Sequence, residues 1–237
     1  MRTLELSPRL RSVADLVPQG ARLADIGTDH AYLPAWLILQ GIISWAIAAD
    51  LRKGPLERAR ITAEKYGLTA QMSFRLCNGL AGVSGKETDV IAIAGMGGET
   101  IAEILSAAPW TREEKKLLLL QPMSAQPELR LWLQEHGYAI QREVLSKEGE
   151  TLYTTFQVIA GQMEQLTPGE RWAGRQQQAE KAPLRGEYLE RLIAQTGRAL
   201  EGLRRSSRAA DSSRLTEMEQ VQQDLLRMKE EWSAWQR

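Results

Sequence analysis

The sequence predicts an α/β protein with a mostly parallel sheet, one antiparallel edge strand and a C-terminal helical hairpin. Three observations predict this architecture. Strand-like and helix-like runs alternate through residues 23–136. Two β-prone runs then flank a polar turn at residues 147–150, which indicates a hairpin rather than another helical crossover. Beyond residue 164, apolar residues recur every three or four positions among charged ones, as in helices that pack along a seam.

The individual elements follow from local signals. Ser7 and Pro8 predict a helix start, because serine caps helices and proline suits the first helical position. Glycines and prolines punctuate the later runs. Strands are predicted at residues 23–26, 44–50, 71–76, 90–94, 117–120, 138–146 and 152–159, and helices at 7–17, 31–40, 54–66, 99–108 and 127–136.

Composition excludes several classes of protein. The chain has 30 Lys and Arg against 30 Asp and Glu, so its net charge carries no nucleic-acid signal. A single cysteine, Cys77, rules out an intrachain disulfide, and the distant His30 and His136 argue against a zinc site. Residues 1–11 lack the apolar run of a signal peptide, and no run approaches the ~20 residues of a membrane span. We expect a soluble, cytoplasmic protein without metal or membrane partners.

The turn after the first predicted strand is the first candidate site. Asp25 ends the strand, and Gly27, Thr28, Asp29 and His30 follow it directly. A pyrophosphate loop offers backbone N–H groups and avoids carboxylates, so two carboxylates here favour a cationic or hydroxyl-rich ligand. S-adenosylmethionine fits, with a sulfonium, an ammonium and a ribose diol but no phosphate. The alternative, a generic turn in which Asp29 caps the next helix, is equally compatible with these residues.

Two further strand ends offer ligand contacts. Asp50 closes the second predicted strand about 20 residues after the glycine turn, where a carboxylate can accept both hydroxyls of a ribose. Leu51 follows it. The alternative is an Asp50 that caps the next turn. Asn78, after the third strand, is placed to meet an adenine amino group, or else forms only an Asn-Gly turn with Gly79.

The run at residues 95–98, Gly-Met-Gly-Gly, follows the fourth predicted strand. Three glycines in four residues permit close backbone approach and unusual dihedral angles. Met96 and nearby carbonyl groups are placed to face a flat base. The run lacks the Lys-Ser/Thr of a phosphate-binding P-loop. Gln121 and Pro122, after the fifth strand, are predicted to form another wall of the site.

Five alternating units and a terminal hairpin match the class I methyltransferase layout, with strand order 3-2-1-4-5-7-6. A nicotinamide oxidoreductase would need G-x-G-x-x-G, of which the turn supplies only Gly27. A hydrolase would need G-x-S-x-G, which the sequence does not contain. We therefore predict a methyltransferase domain at residues 1–164 and a helical domain at 165–237.

The helical domain has two apolar seams on either side of a serine-rich stretch at residues 206–213. We interpret them as an antiparallel coiled-coil hairpin; a single long helix that dimerises is the alternative, and we expect a monomer. Arg204, Arg205 and Arg208 crowd the predicted tip. They suit contact with RNA, although a solvated helix face would show the same pattern.

Several strings together give a specific resemblance. Residues 24–34 read Ala-Asp-Ile-Gly-Thr-Asp-His-Ala-Tyr-Leu-Pro, residues 93–98 read Ile-Ala-Gly-Met-Gly-Gly, and Gln121 precedes Pro122. With the opening Leu-Ser-Pro-Arg-Leu at 6–10, the whole chain resembles the bacterial tRNA (adenine-22-N1)-methyltransferase family. Two positions depart from the family pattern: Asn78 stands where Asp is usual, and Met123 where Asn commonly follows Gln-Pro.

The resemblance implies methyl transfer from S-adenosylmethionine to N1 of an adenine in the tRNA D-arm. Asp29 is then the candidate catalytic carboxylate, stabilising the positive charge that develops on the base. The predicted cofactor contacts are Asp25, Gly27, Thr28, Asp29, His30, Asp50, Leu51, Asn78, Gly79, Gly95 and Met96. The predicted tRNA contacts are Arg9, Tyr32, Gly97, Gly98, Gln121, Pro122, Arg204, Arg205 and Arg208. Methylation of another RNA or a protein, or RNA binding without catalysis, remain the alternatives.

Overall fold

The computed structural model describes residues 4–113, 115–177, 182–205 and 211–236. The chain forms two compact units. The first extends to Ala125 and includes Trp132–Met163; the second contains Gln126–Leu131 and the chain from Glu164 onward.

The first unit contains a seven-stranded sheet in the order β3-β2-β1-β4-β5-β7-β6. Its first five strands are parallel and β7 pairs antiparallel with β5 and β6, so the predicted order and edge hairpin are confirmed. The strands are β1 (Leu23–Ile26), β2 (Ala46–Asp50), β3 (Met72–Leu76), β4 (Val90–Gly97), β5 (Leu117–Ser124), β6 (Tyr138–Glu148) and β7 (Thr151–Ala160).

Burial explains why the central strands lack polar–apolar alternation. Every residue of β1 and β2 is buried, as expected for parallel strands with helices over both faces. Asp25 of β1 lies opposite Ala48 of β2, so the carboxyl ends of the two strands are adjacent. The N–H groups of Gly27 and Thr28 both donate to the carbonyl of Ala49, at 2.8 and 3.0 Å, which fixes the turn against β2.

Helices follow the predicted positions within a few residues. Ser7 caps the first helix by accepting from the N–H of Leu10, with Pro8 in the first turn, as the sequence predicts. The helices of the first unit are α1 (Pro8–Ala14), α2 (Tyr32–Leu39), α3 (Lys53–Tyr66) and α4 (Gly98–Ser106); α5 (Gln126–Glu135) belongs partly to each unit.

Strands β4 and β5 are longer than predicted. The segment predicted to be a glycine-rich loop after Ala94 instead continues β4, with Met96 paired to Pro122 and Gly97 to Ser124. The register shifts on either side of Met96. Pro122 is tolerated because β5 pairs with β7 only as far as Leu120, so its missing N–H costs no hydrogen bond on that side.

The second unit contains α6 (Pro168–Ala173), α7 (Arg185–Arg205) and α8 (Asp211–Trp235). Helix α6 was not predicted, although its signal is present: Thr167 and Glu170 form a capping box around Pro168. Two buried arginines stabilise the end of α6, because Arg130 donates to the carbonyls of Arg171 and Trp172 at 2.8 and 2.9 Å. Arg185 donates to those of Ala173 and Gly174.

Helices α7 and α8 run antiparallel, as predicted for the hairpin. Glu190, near the start of α7, pairs with Lys229 near the end of α8. Arg204, at the end of α7, pairs with Glu219 in the first half of α8. Four residues of the predicted α8 seam are buried; they are Val221, Leu225, Met228 and Trp232. On α7, the buried apolar residues include Leu189, Leu192 and Leu200. None of the helices in the described ranges has the length and apolar character needed to cross a membrane.

Candidate functional site

A cavity of about 220 Å³ lies at the carboxyl ends of β1 and β4, within the first unit. Parallel sheets bind ligands at this edge, because the strands end there and the following turns supply polar groups. Five of the eleven predicted cofactor residues line it, whereas Asp50, Leu51, Asn78, Gly79, Gly95 and Met96 do not. The cavity is lined by Arg9, Leu10, Asp25, Gly27, Thr28, Asp29, His30, Ala31, Tyr32, Leu33 and Ala94.

Asp25 is the most unusual group in the cavity. Its side chain is buried, with 7% of the residue exposed. The pKa of Asp25 is raised to about 6, chiefly by burial; the neighbouring Thr28 hydroxyl opposes this rise, and the nearby carboxylate of Asp50 adds a smaller increase. A buried carboxyl group with such a pKa is suited to a ligand that brings a positive charge or hydrogen-bond donors.

Thr28 supplies a second buried group for a ligand. Its Oγ1 atom is buried and makes no hydrogen bond of normal geometry among the described residues, although it lies near enough to the carboxyl group of Asp25 to lower that group's pKa. Gly27 precedes it with φ +76°, and a Cβ there would lie 2.0 Å from the Cε atom of Met96. Only glycine fits this position, because any side chain would be strained and would displace Met96.

Asp50, Leu51 and Leu76 end the neighbouring strands. Oδ1 of Asp50 accepts from the backbone N–H of Arg52 at 2.7 Å, so the alternative predicted for this aspartate, turn capping, does occur. The two leucines are exposed, Leu51 to 64% and Leu76 to 50%. An exposed apolar pair beside a buried carboxylate provides a surface for a flat base next to acceptors for a sugar.

Asp29 lies at the mouth of the cavity. It accepts from Arg58 and lies 3.4 Å from Nε2 of His30, with 62% of its side chain exposed. The hydrogen bond from Arg58 lowers the pKa of Asp29, so the carboxylate is ionised at neutral pH. The alternative in which Asp29 caps α2 is wrong, because the N-cap is Ala31 and no side chain caps it.

His30 and Tyr32 form a stacked pair at the same mouth. Their ring centroids are 4.9 Å apart and their planes differ by 13°. Ala31 between them has φ +53°, a left-handed conformation that brings the flanking side chains to one side. Tyr32 is 40% exposed, so a flat aromatic surface is presented beside Asp25 and Thr28.

Asn78 and Gly79 follow β3, as predicted, but do not line the described cavity. The carbonyl of Asn78 accepts from the N–H of Ala81 at 3.1 Å, and its side chain is exposed. Gly79 has φ +52° and packs against Ile104. The Asn-Gly turn is therefore present, and the adenine contact of Asn78 stays a prediction.

A hydrogen-bond network supports the ends of β4 and β5. Oε1 of Gln121 accepts from Nη1 of Arg9 at 2.7 Å and from the N–H of Gly95 at 3.1 Å. The N–H of Arg9 itself donates to Glu148 at 2.9 Å. Gln121 and Pro122 are buried, so Gln121 joins α1 to β4 rather than presenting its amide to solvent as a predicted wall residue would. The sequence signal for Gln121 was a single polar residue at the end of an apolar strand. That pattern fits a ligand contact as well as an internal hydrogen bond.

Close backbone packing continues into α4. A Cβ on Gly98 would lie 2.4 Å from the carbonyl oxygen of Ala125, and one on Gly97 would lie 3.2 Å from Oγ of Ser124. These glycines therefore allow the start of α4 to approach the turn after β5. Position 98 requires glycine because a side chain would clash with the carbonyl of Ala125. The sequence analysis had instead predicted that Gly98 contacts the tRNA.

The basic residues predicted at the hairpin tip belong to the second unit. Arg204 pairs with Glu219 at 2.9 Å and Arg205 is exposed. Arg208 lies outside the described residues.

The sheet order and the acidic cavity at its carboxyl edge together define a Rossmann-like methyltransferase domain. Accordingly, the family model described as "Methyltransferase domain" matches residues 6–156. Over 161 residues the chain is 42% identical to the tRNA (adenine(22)-N(1))-methyltransferase of Bacillus subtilis (strain 168), covering 68% of each protein. The chain belongs to the tRNA (adenine(22)-N(1))-methyltransferase family.

Solved structures agree. The crystal structure of the B. subtilis m1A22 tRNA methyltransferase TrmK has a TM-score of 0.85 and 32% identity, with 96% of this chain and all of that one covered. Streptococcus pneumoniae Sp1610, in complex with S-adenosyl-L-methionine, has a TM-score of 0.78 and 35% identity, with 92% of this chain and all of that one covered.

Proposed function

We propose that this protein transfers the methyl group of S-adenosylmethionine to N1 of an adenine in tRNA, adenine 22 of the D-arm. The observation that carries the proposal is the pair of buried carboxylates, Asp25 and Asp50, beside the unbonded hydroxyl of Thr28. This donor set lies at the ligand-binding edge of a methyltransferase sheet. Relatives named for this reaction, one of them bound to S-adenosylmethionine, support it.

The residues present fit the methyl donor. When bound, S-adenosylmethionine supplies a methyl group on a positively charged sulfur. Asp25 offers a buried negative charge for a cationic ligand, and Thr28 offers a hydroxyl that makes no hydrogen bond of normal geometry among the described residues. Asp50 would accept from the ribose hydroxyls, and Leu51 would lie against the adenine. These roles match the polarity of each group.

The acceptor base needs positioning more than activation. Adenine N1 carries a lone pair, so no strong base is required, and catalysis depends on orientation and electrostatics. The target base must leave its stack to enter the cavity. The exposed face of Tyr32, held by its stack on His30, would receive that base, since aromatic side chains bind unstacked bases.

Asp29 and Arg9 would have supporting roles. Asp29 is ionised and would stabilise the positive charge of the methylated base, although its exposure and its bond to Arg58 moderate the effect. Arg9 was predicted to contact the tRNA. We propose instead that it positions the end of β4 through Gln121, because its guanidinium donates to that amide.

The helical domain at residues 165–237 would contact the body of the tRNA. Arg204 and Arg205 supply positive charge, and tRNA is recognised largely by shape and phosphate contacts. We propose that the protein acts as a monomer in the cytoplasm.

The test is to incubate the protein with an unmodified tRNA transcript and methyl-labelled S-adenosylmethionine, then map the modified nucleotide. We expect 1-methyladenosine at position 22 and no product with a transcript carrying guanine there. Methylation elsewhere would contradict the proposed position. Cofactor binding without methylation of any tRNA would favour another acceptor, and absence of cofactor binding would favour an RNA-binding protein.

A further inference from the structure

The second unit contains a cavity of about 510 Å³ that the proposed reaction does not use. Helices α5, α6, α7 and α8 all contribute to its wall, and every contributing residue belongs to that unit. Its volume falls within the range of about 300–1,000 Å³ typical of small-ligand sites. It is lined by Pro127, Glu128, Leu131, Pro168, Arg171, Trp172, Ala199, Gly202, Leu203, Arg214, Glu217, Met218 and Val221.

Arg171 is the candidate ligand-binding cation in this cavity. Its Nε atom is buried and has no hydrogen-bond partner among the described residues. Other arginines of the unit have carboxylate partners: Arg175 pairs with Glu164 and Glu170, and Arg227 with Asp224. Arg171 itself is only half-buried and forms no salt bridge among the described residues, so the rest of its guanidinium can bind an anionic ligand that enters the cavity.

Trp172 gives the cavity an aromatic wall next to that cation. The side chain is half-buried, and its backbone is anchored because its carbonyl accepts from Arg130 at 2.9 Å and from Tyr188 at 3.3 Å. Glu128 and Glu217 add carboxylate acceptors to the lining. Cation, aromatic ring and carboxylate match the phosphate, base and amino groups of one nucleotide.

Gly202 lines the cavity and is exposed. It lies near the end of α7, and glycine in a helix lowers helix stability relative to alanine. A Cβ at this position would meet no atom within 4 Å among the described residues, so packing does not require glycine there. Larger residues at 202 would extend toward the space that a ligand would use.

We propose that this cavity holds an unstacked nucleotide of the tRNA substrate, distinct from the methylated adenine, with its phosphate at Arg171 and its base against Trp172. The inference rests on the proposed function, because it takes tRNA as the macromolecule that supplies the nucleotide. A capture site away from the sheet would fix the register of the tRNA, as phosphate and stacking contacts do in other RNA complexes.

The first experiment compares Arg171→Gln with Arg227→Gln, a control that removes the same charge from an exposed, salt-bridged position of the unit. We expect Arg171→Gln to weaken binding of an unmodified tRNA transcript about tenfold. The dependence of log affinity on log salt should fall by about one in slope. Arg227→Gln should remain within twofold of wild type, and both variants should bind S-adenosylmethionine normally.

The second experiment fills the cavity without removing any group. Gly202→Leu should leave the melting temperature unchanged or raise it, because leucine favours helix, yet weaken tRNA binding about tenfold. Gln195→Leu, on the exposed face of the same helix, is the matched control and should bind tRNA as wild type does. Because this variant loses no contact, it tests the cavity even if Arg171→Gln proves unstable.

Chemical probing of the bound tRNA identifies the nucleotide. We expect one unpaired nucleotide besides position 22 to be protected by wild type and to become reactive with Arg171→Gln and Gly202→Leu. Unchanged affinity and protection in both variants would overturn the inference while leaving methylation intact. If the wild-type protein neither binds nor methylates tRNA, the proposed function itself fails, and the two failures are thereby distinguished.

Discussion

The candidate site has two halves, one at the ends of β1 and β2 and the other at the ends of β4 and β5, and they differ in which groups they present. At the ends of β1 and β2, side chains dominate: Asp25 is buried as a carboxyl group with a raised pKa, and the hydroxyl of Thr28 makes no hydrogen bond of normal geometry in the described chain. At the ends of β4 and β5, backbone dominates: Gly95 is held by Gln121, and Gly98 touches the carbonyl of Ala125.

This difference indicates that the two halves of the binding edge have different roles. The β1–β2 half carries groups whose polarity is unfavourable in the folded protein until a ligand complements them. The β4–β5 half has satisfied hydrogen bonds and close packing, so it supplies position rather than charge. Substitutions should therefore affect affinity in the first half and turnover in the second.

The largest effect is expected from Gly98→Ala. The new Cβ would lie 2.4 Å from the backbone carbonyl oxygen of Ala125, so the start of α4 and the turn after β5 must move apart. We expect a loss of about 3 kcal/mol in stability and at least a ~100-fold fall in kcat, since displacement of about 1 Å can cost that much. Urea denaturation and single-turnover methylation measure both. Gly54→Ala, in the first turn of α3 with only ordinary contacts, should behave as wild type.

The second-largest effect is expected from Asp25→Asn, which should lower cofactor affinity while raising folding stability at neutral pH. Loss of the charge should weaken S-adenosylmethionine binding roughly fiftyfold by calorimetry. The folded pKa of Asp25, about 6, lies above its ordinary value near 3.8, so the carboxyl group favours folding at low pH. That contribution is lost as pH rises through 6, by roughly 3 kcal/mol.

The asparagine variant should therefore gain stability over wild type between pH 4 and 7. Its melting temperature relative to wild type should rise across that window and then level off. An unchanged difference across the window would show that Asp25 is not titrating there, and normal cofactor affinity would remove it from the donor site.

A smaller effect is expected from Gln121→Ala. Removal of the amide leaves Arg9 and the N–H of Gly95 without their common acceptor, which should lower kcat about tenfold with little change in cofactor affinity. Gln121→Glu keeps an acceptor oxygen in the place of Oε1 and should recover part of the activity. Gln40→Ala, at the exposed end of α2, serves as control. Equal kcat for the alanine variant and wild type would show that the network does not position β4.

Asp29→Asn should have the smallest effect. Its carboxylate is ionised but exposed and paired with Arg58, so water and that arginine screen it. We expect kcat to fall about fivefold while tRNA affinity stays within twofold. Asp15→Asn, also exposed and paired with an arginine, should leave both parameters unchanged. Unchanged turnover in Asp29→Asn would exclude a charge-stabilising role.

The fold was largely predictable because its signals are local. Alternating runs with glycine stops, and the hairpin turn at residues 147–150, predict the succession of strands and helices, and its match to the class I methyltransferase layout supplies the sheet order. The extension of β4 through Gly97 was not predictable, because glycine and proline normally end strands. Here pairing between Met96 and Pro122, which are far apart in sequence, outweighs that preference.

The site was predictable in its residues but not in their roles. Asp25, Thr28 and Asp50 stand out because polar groups end apolar strands. Gln121 shows the same pattern, yet it is buried in a network with Arg9, 112 positions earlier in the chain. No local sequence signal distinguishes a residue that contacts a ligand from one that forms internal hydrogen bonds. The distinction depends on which distant element packs against the residue.

By itself, the sequence determined the succession of strands and helices, the acidic turn at Asp25 and the antiparallel helical pair, since each follows from residue spacing and backbone preference. Only the tertiary structure decided that Asp25 is the buried carboxyl group while Asp29 is paired and exposed, and that Arg171 lines a cavity. The physical reason is that desolvation and hydrogen-bond satisfaction depend on neighbours brought together by folding rather than by sequence.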